Sequence, residues 1–316
     1  MFHDPIRPIL DHQGILILDG GLATELESRG SDLGDELWSA RILLEDPELL
    51  NTVHDAYLAA GADSLISASY QATIPGFRRR GLSEDEARSL LRSSVEVARQ
   101  SRDRFWSQPQ NRQGRRRPLV ASSVGPYGAF LADGSEYRGR YGLHQDELLR
   151  FHRDRWHALV EGGPDLMALE TLPDRDEVLA LAELARETPE MPIWISLSCP
   201  DGEHLADGSE LAPLVRHLEA HPQVVALGVN CLAPSLVESI LGVLARHTSK
   251  PLLAYPNSGE GWDAQARQWT ASPESSSLAS AAERWVQAGA RILGGCCRTT
   301  PADIRALRSS VLGSLG

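Results

Sequence analysis

The chain has 316 residues, 42% of them hydrophobic and 23% charged, with a net charge of −12. Such a length buries a large core without disulfides, and the acidic balance argues against nucleic acid as a partner. No apolar run reaches membrane-spanning length, and the start, Met-Phe-His-Asp-Pro-Ile-Arg-Pro, lacks the charged and apolar stretches of a secretory signal. Four cysteines, two of them adjacent, do not make a disulfide framework. A cytoplasmic protein with free thiols is expected.

Short apolar, β-branched runs alternate with longer amphipathic ones. Strands are expected over residues 15–20, 63–69, 118–125, 166–171, 192–198, 224–231, 251–256 and 291–297. Their near-continuous apolarity predicts burial on both faces of a parallel sheet. Helices are expected over residues 47–60, 83–106, 145–161, 176–187, 234–247 and 275–288. Asp46-Pro47-Glu48, Ser83-Glu-Asp-Glu86 and Thr300-Pro301-Ala-Asp303 each place a capping residue before proline or first-turn acids. Ala60-Gly61-Ala62-Asp63 and Ala288-Gly289-Ala290-Arg291 are near copies, each a glycine stop before a strand.

Eight β–α units in one chain predict a single-domain (β/α)₈ TIM barrel. A doubly wound sheet is the alternative; the first strand ends Leu18-Asp19-Gly20-Gly21 instead of the G-x-G-x-x-G such a sheet would carry. No linker divides the chain. Residues 109–117 and 125–142 are the longest irregular stretches. The first carries Arg115-Arg-Arg117, read as a solvated loop; the second follows a strand's C-terminal end and is a candidate lid.

In a barrel the strand C-termini share one face, where catalytic groups gather. Here those ends carry Asp19-Gly-Gly21, Ser67-Ala-Ser69-Tyr70-Gln71, Glu170-Thr171, Asn230-Cys231, Tyr255-Pro-Asn257 and Gly294-Gly-Cys296-Cys297. The sixth and eighth strands are close neighbours, so Cys231, Cys296 and Cys297 can converge on one zinc ion, leaving a fourth position for another sulfur. Gly294-Gly295 permits the sharp turn that lets adjacent cysteines both ligate. Cys199, ending the fifth strand, reads as a packed thiol.

Asp19 has two readings. It caps a helix starting near Leu22, or it precedes Gly20 and Gly21 whose N–H groups grip a carboxylate. Glu170 closes an apolar run, where a carboxylate is expensive to bury without a cation; a ligand ammonium would serve. These groups together suggest a zwitterionic amino acid with its sulfur on zinc. Asn230 reads as a support beside Cys231, and Gln71 as a further substrate contact. Trp38, Tyr70, Tyr127 and Tyr137 are candidate walls for a sulfonium.

The chain resembles the homocysteine S-methyltransferase family from about Ile15 to Ala302. The matching segments include Leu18-Asp-Gly-Gly-Leu-Ala-Thr-Glu25, Leu37-Trp38-Ser-Ala, Ala68-Ser-Tyr-Gln-Ala-Thr73, Ser123-Val-Gly-Pro-Tyr-Gly128, Gly228-Val-Asn-Cys231 and Gly294-Gly-Cys-Cys297. Leu131-Ala-Asp-Gly-Ser-Glu-Tyr-Arg-Gly139 is similar to the branch that takes methyl from S-methylmethionine and, less readily, S-adenosylmethionine. The resemblance implies a (β/α)₈ barrel, zinc on Cys231, Cys296 and Cys297, and homocysteine contacts at Asp19, Gly20 and Glu170. It implies small-molecule substrates only, a monomer, and methyl transfer from a sulfonium to a zinc-activated thiolate with no general base. A zinc hydrolase on a barrel and a structural-zinc protein, the latter with Cys199 as fourth ligand, are the competing readings.

Overall fold

The computed structural model describes residues 3–31, 39–259, 261–263, 268–270 and 277–313. Trp38 and the first two residues of the helix expected over 275–288 lie outside the described residues. Seven strands precede a small hairpin: β1 Leu16–Ile17, β2 Ser64–Ile66, β3 Leu119–Val124, β4 Leu166–Leu172, β5 Ile193–Leu197, β6 Val224–Asn230 and β7 Leu252–Tyr255. The hairpin is β8 Gly261–Asp263 with β9 Gln268–Thr270, and β10 Ala290–Leu293 completes the main sheet. The eight long-range strands run parallel in the order β1-β10-β7-β6-β5-β4-β3-β2. A parallel bridge from Leu18 to Ser64 joins the two ends and closes the barrel.

The uninterrupted apolar runs follow from this closure. Residues alternate between lumen and helix layer, and both sides are buried. Leu16, Leu18, Leu119, Ala121, Leu166, Ala168, Trp194, Leu253, Tyr255 and Ile292 fill the lumen. Ile17, Leu65, Val120, Met167, Ile195, Leu227, Ala254 and Leu293 face the helices. Full burial of each large apolar side chain contributes about 1.5–3 kcal/mol. Ile6 and Ile9, at the short helix Arg7–Gln13, pack into the lumen cluster and stopper it from below.

Helix boundaries obey their caps. Asp46 accepts from Leu49 N at 3.1 Å, while Ser83 with Glu86 and Thr300 with Asp303 form capping boxes. Gly61 and Gly289 take φ of 106° and 112°, the left-handed stops expected of the paired Ala-Gly-Ala motifs. Among the described residues no helix is long and apolar enough to cross a membrane.

Three expectations need correction. Asp19 caps nothing: the helix Leu22–Ser28 starts from Gly21 with no side-chain cap. Residues 125–142 are built rather than irregular, with a helix Tyr127–Leu131 and a 3₁₀ turn Ser135–Tyr137. The arginine run is not wholly solvated. Arg115 is 8% exposed and donates to Leu58 O, Ala62 O and Asp63 Oδ1. Arg308 reaches the same carboxylate at 2.9 and 3.1 Å, so Asp63 is clamped by two guanidiniums beneath the barrel.

Candidate active site

A cavity of about 120 Å³ opens at the C-terminal mouth of the barrel, small enough for an amino acid. Its floor is made by strand ends. Asp19 follows β1 and is 3% exposed; its Oδ2 accepts the Ile66 N–H at 2.8 Å, so the carboxylate also stitches β1 to β2. Glu170 lies in β4, where it accepts from Ser123 Oγ and, at 3.1 Å, from Tyr255 OH. Burial pushes the Glu170 carboxyl up to about 7 despite those two bonds. Burial also raises Asp19 well above its ordinary value against the Ile66 bond, and the facing Glu170 adds to the rise. Neither acid has an ion-pair partner among the described residues.

Beyond Glu170 the β4–β5 ladder shifts register, and Thr171 takes φ of 59°. A branched residue seldom adopts that conformation without support. Asn230 supplies it: Oδ1 accepts from Thr171 N and Ser196 Oγ, and Nδ2 donates to Thr171 Oγ1, each at 2.8 Å. One side chain at the end of β6 therefore fixes the bend that aims Glu170. The next residue, Cys231, is itself left-handed at φ 56°.

The three expected metal ligands converge. Cys231 Sγ lies 3.6 Å from Cys297 Sγ, Cys296 Sγ lies 4.0 Å from Cys297 Sγ, and all three sulfurs are within 4.8 Å of one another. Tetrahedral zinc with bonds of about 2.3 Å requires sulfur separations of about 3.8 Å, so the donor set fits zinc with one position left over. Hydrogen bonds from Cys296 and Cys297 hold the Cys231 thiol well below its ordinary value. Gly294 and Gly295 leave no room for side chains: a Cβ would meet Leu18 Cβ at 2.5 Å and Thr299 Oγ1 at 2.3 Å respectively. Cys199 takes no part. It is buried in the helix-side core, where burial raises its thiol, and it lies outside the sulfur cluster.

The other sequence candidates divide. Gly20 and Gly21 line the cavity. The Gly21 N–H, however, already donates to Thr299 O at 3.2 Å and Thr299 Oγ1 at 3.0 Å, which removes it as a carboxylate grip. Gln71 is behind the wall: its Nε2 donates to Ala129 O, steadying the covering segment. Tyr70 and Tyr137 face the cavity, and the Tyr137 hydroxyl lies 3.5 Å from Cys231 Sγ. Tyr127 instead stacks with Phe130, Tyr141 and Phe151. Glu136 and Ser123 line the cavity and were not singled out from the sequence; each sits in a motif already noted, but nothing local shows which way it points.

A family model described as homocysteine S-methyltransferase matches residues 16–311. A homocysteine S-methyltransferase of Escherichia coli (strain K12) is 50% identical over 97% of this chain and 98% of its own length. Homocysteine S-methyltransferase YbgG of Bacillus subtilis (strain 168) is 49% identical over 96% of each. The crystal structure of the metallated form of homocysteine methyltransferase MmuM from Escherichia coli superposes with a TM-score of 0.88 at 48% identity, covering 97% of this chain and 99% of that one. With its barrel, its mouth of buried acids and its three gathered sulfurs, the chain belongs to the homocysteine S-methyltransferase family.

Proposed function

We propose that this homocysteine S-methyltransferase holds Zn²⁺ on Cys231, Cys296 and Cys297 and takes methyl from S-methylmethionine, less readily from S-adenosylmethionine, to give methionine. The observation that carries this reading is the sulfur triad opening onto a cavity whose lining, among the described residues, holds three carboxylates and no Lys, Arg or His. Zinc bound there would lower the pKa of the acceptor thiol, so that its sulfur is a thiolate at neutral pH. Three gathered thiols in place of His and Asp ligands favour thiol chemistry over hydrolysis, and among the described residues no fourth ligand joins them to close a structural site.

The chain's own residues do the rest. Asp19 and Glu170 take the homocysteine ammonium, which offsets one negative charge at a pair of acids that have no ion-pair partner among the described residues. Gly20 lets the backbone approach the ligand. Asn230, through Thr171, keeps Glu170 aimed. The acceptor sulfur forms a bond to the donor methyl as the donor's S–CH₃ bond breaks, and that electron pair returns to the donor sulfur. A cation and an anion become two neutral thioethers, so a cavity that excludes water favours the transition state, and alignment of the two sulfurs supplies much of the remainder. The thiol proton leaves to solvent on binding, so no general base is assigned. A monomer in a reducing cytoplasm, which the free thiols suit, completes the reading.

The test is methionine formation from homocysteine with each donor in parallel, on protein assayed for zinc. Turnover highest with S-methylmethionine supports the reading. No methionine from either donor, in zinc-replete protein, overturns it.

A further inference from the structure

The cavity holds more negative charge than one amino-acid ligand uses. Asp19 and Glu170 sit on the barrel floor and act on each other. Glu136 enters from the opposite side, on the covering segment. It is 6% exposed, its Oε2 is buried with no hydrogen-bond partner, and no ion pair reaches it among the described residues. A carboxylate in that condition is costly unless a cation comes to it.

The segment is built to keep it there. Gly128 passes so close that a Cβ would fall 2.3 Å from Glu136 N, and Asp133 Oδ1 holds the Ser135 N–H at 2.9 Å. Arg140 N donates to Asp174 Oδ2 at 2.9 Å, tying the far end to the loop after β4. The neighbouring Tyr137 puts its hydroxyl 3.5 Å from Cys231 Sγ, and Tyr70 lines the same wall. A ligand lying along this wall is beside the sulfur triad, with one carboxylate and two phenol rings around it.

We propose that Glu136 is the recognition anion for the methyl donor, holding its sulfonium centre between the covering segment and the cysteine triad. This rests on the sulfonium-donor reading above. A sulfonium has no N–H or O–H to donate, so a protein recognises it through an unpaired carboxylate and aromatic faces. Methyl transfer abolishes the donor's positive charge at sulfur, and with it the hold of Glu136 on the product. The attraction is weaker in the transition state than in the ground state, so losing it raises the donor KM and does not lower kcat.

The experiment uses Glu136→Gln in zinc-loaded full-length protein. The donor KM rises roughly tenfold or more, the scale of a lost charge-assisted contact, while kcat does not fall and homocysteine KM and zinc content stay at wild-type values. The second readout is the ratio of Kd for 2-amino-5-methylhexanoate, in which CH replaces the sulfonium sulfur, to Kd for S-methylmethionine. The wild type favours the cation; the variant loses that preference, and Glu136→Asp recovers part of it. A preserved preference, or a parallel loss of homocysteine binding or zinc, overturns the proposal. If the wild type itself transfers no methyl from a sulfonium, the functional reading fails and this falls with it; an active wild type with an unaffected variant sinks this proposal alone.

Discussion

The two ends of the barrel treat buried carboxylates in opposite ways. At the closed end, Asp63 is 1% exposed and meets Arg115, Arg308, the Gln13 amide and the Ile17 N–H. Both guanidiniums also bind backbone carbonyls that follow the helix Pro47–Ala60. The carboxylate there is answered by the protein itself. At the open end, Asp19, Glu136 and Glu170 are buried as deeply, yet no cation pairs with them among the described residues. The closed end is a fastening; the open end is held incomplete, and under the proposed function its counter-charge arrives with substrate.

The comparison breaks most sharply at the sulfurs. Cys231→Ser should lose bound zinc and methyl transfer together. Changing mere supports of metal ligands costs about 10–100-fold, so losing a ligand should exceed about 100-fold, as metal analysis and turnover would show. Full activity in that variant would remove the metal assignment. Next comes the closed end. Arg308→Ala leaves Asp63 with Arg115 as its one remaining ion-pair partner among the described residues, so the loss should fall below the cost of about 3–5 kcal/mol for a buried charge left uncompensated. Urea unfolding should report that loss, with activity per folded molecule unchanged.

Asn230→Ala strips the Thr171 N–H of its partner at a strained φ. The cost is about 1–3 kcal/mol in stability, and kcat/KM for homocysteine falls because Glu170 is no longer aimed. Restored activity in Asn230→Asp would show that acceptance by Oδ1 is the part that matters.

The smallest effect has the opposite sign. The Glu170 carboxyl is raised from 4.5 to about 7. Between those values the folded chain keeps a proton that the unfolded chain has released, so the unfolded state binds fewer protons and stability falls as pH rises. Glu170→Gln should therefore stabilise the zinc-free protein at pH 8, on the order of 2 kcal/mol, and not at pH 4, by thermal unfolding. The same proton blocks ammonium binding, so kcat/KM for homocysteine in the wild type should decline as pH drops below about 7. A variant no more stable at pH 8 than the wild type would show that Glu170 is answered from within the protein, as Asp63 is.

Much of this was legible in the residues. Periodicity and caps placed the barrel strands and the six helices given bounds to within a few positions, because β-branched runs, capping boxes and glycine stops act locally. The thiol triad was legible because Gly-Gly-Cys-Cys and Val-Asn-Cys end apolar runs. Long-range partners were not. Arg115 looks like any member of a charge run until Asp63, 52 residues away, is brought beneath it. Gln71 and Tyr70 fall past the last ladder pair of β2, where the alternation that would say which side faces inward has ended. Glu136 sits in a 3₁₀ turn with no period at all. The helix Arg7–Gln13 is anchored by Ile6 and Ile9 in the lumen, a tertiary cause that adds to the local bonds from Ile6 N and Arg7 N to Asp4 and to the Gly14 stop.

The seam of the barrel has a consequence for how such a chain can change. Asp19 is at once a wall of the cavity and the side chain that ties Ile66 across the closing bridge. Replacing it alters the acceptor's binding place and loosens the barrel together, so drift at this position is penalised twice. The segment of residues 125–142 pairs with no strand of the ladder; it is held instead by helices, with Glu177 accepting from Tyr127 N and Phe151 packing edge-on against Tyr127. If Asp19 takes the acceptor and Glu136 the donor, as proposed, the acceptor site is fixed by the closure of the barrel and the donor site by a segment outside the ladder.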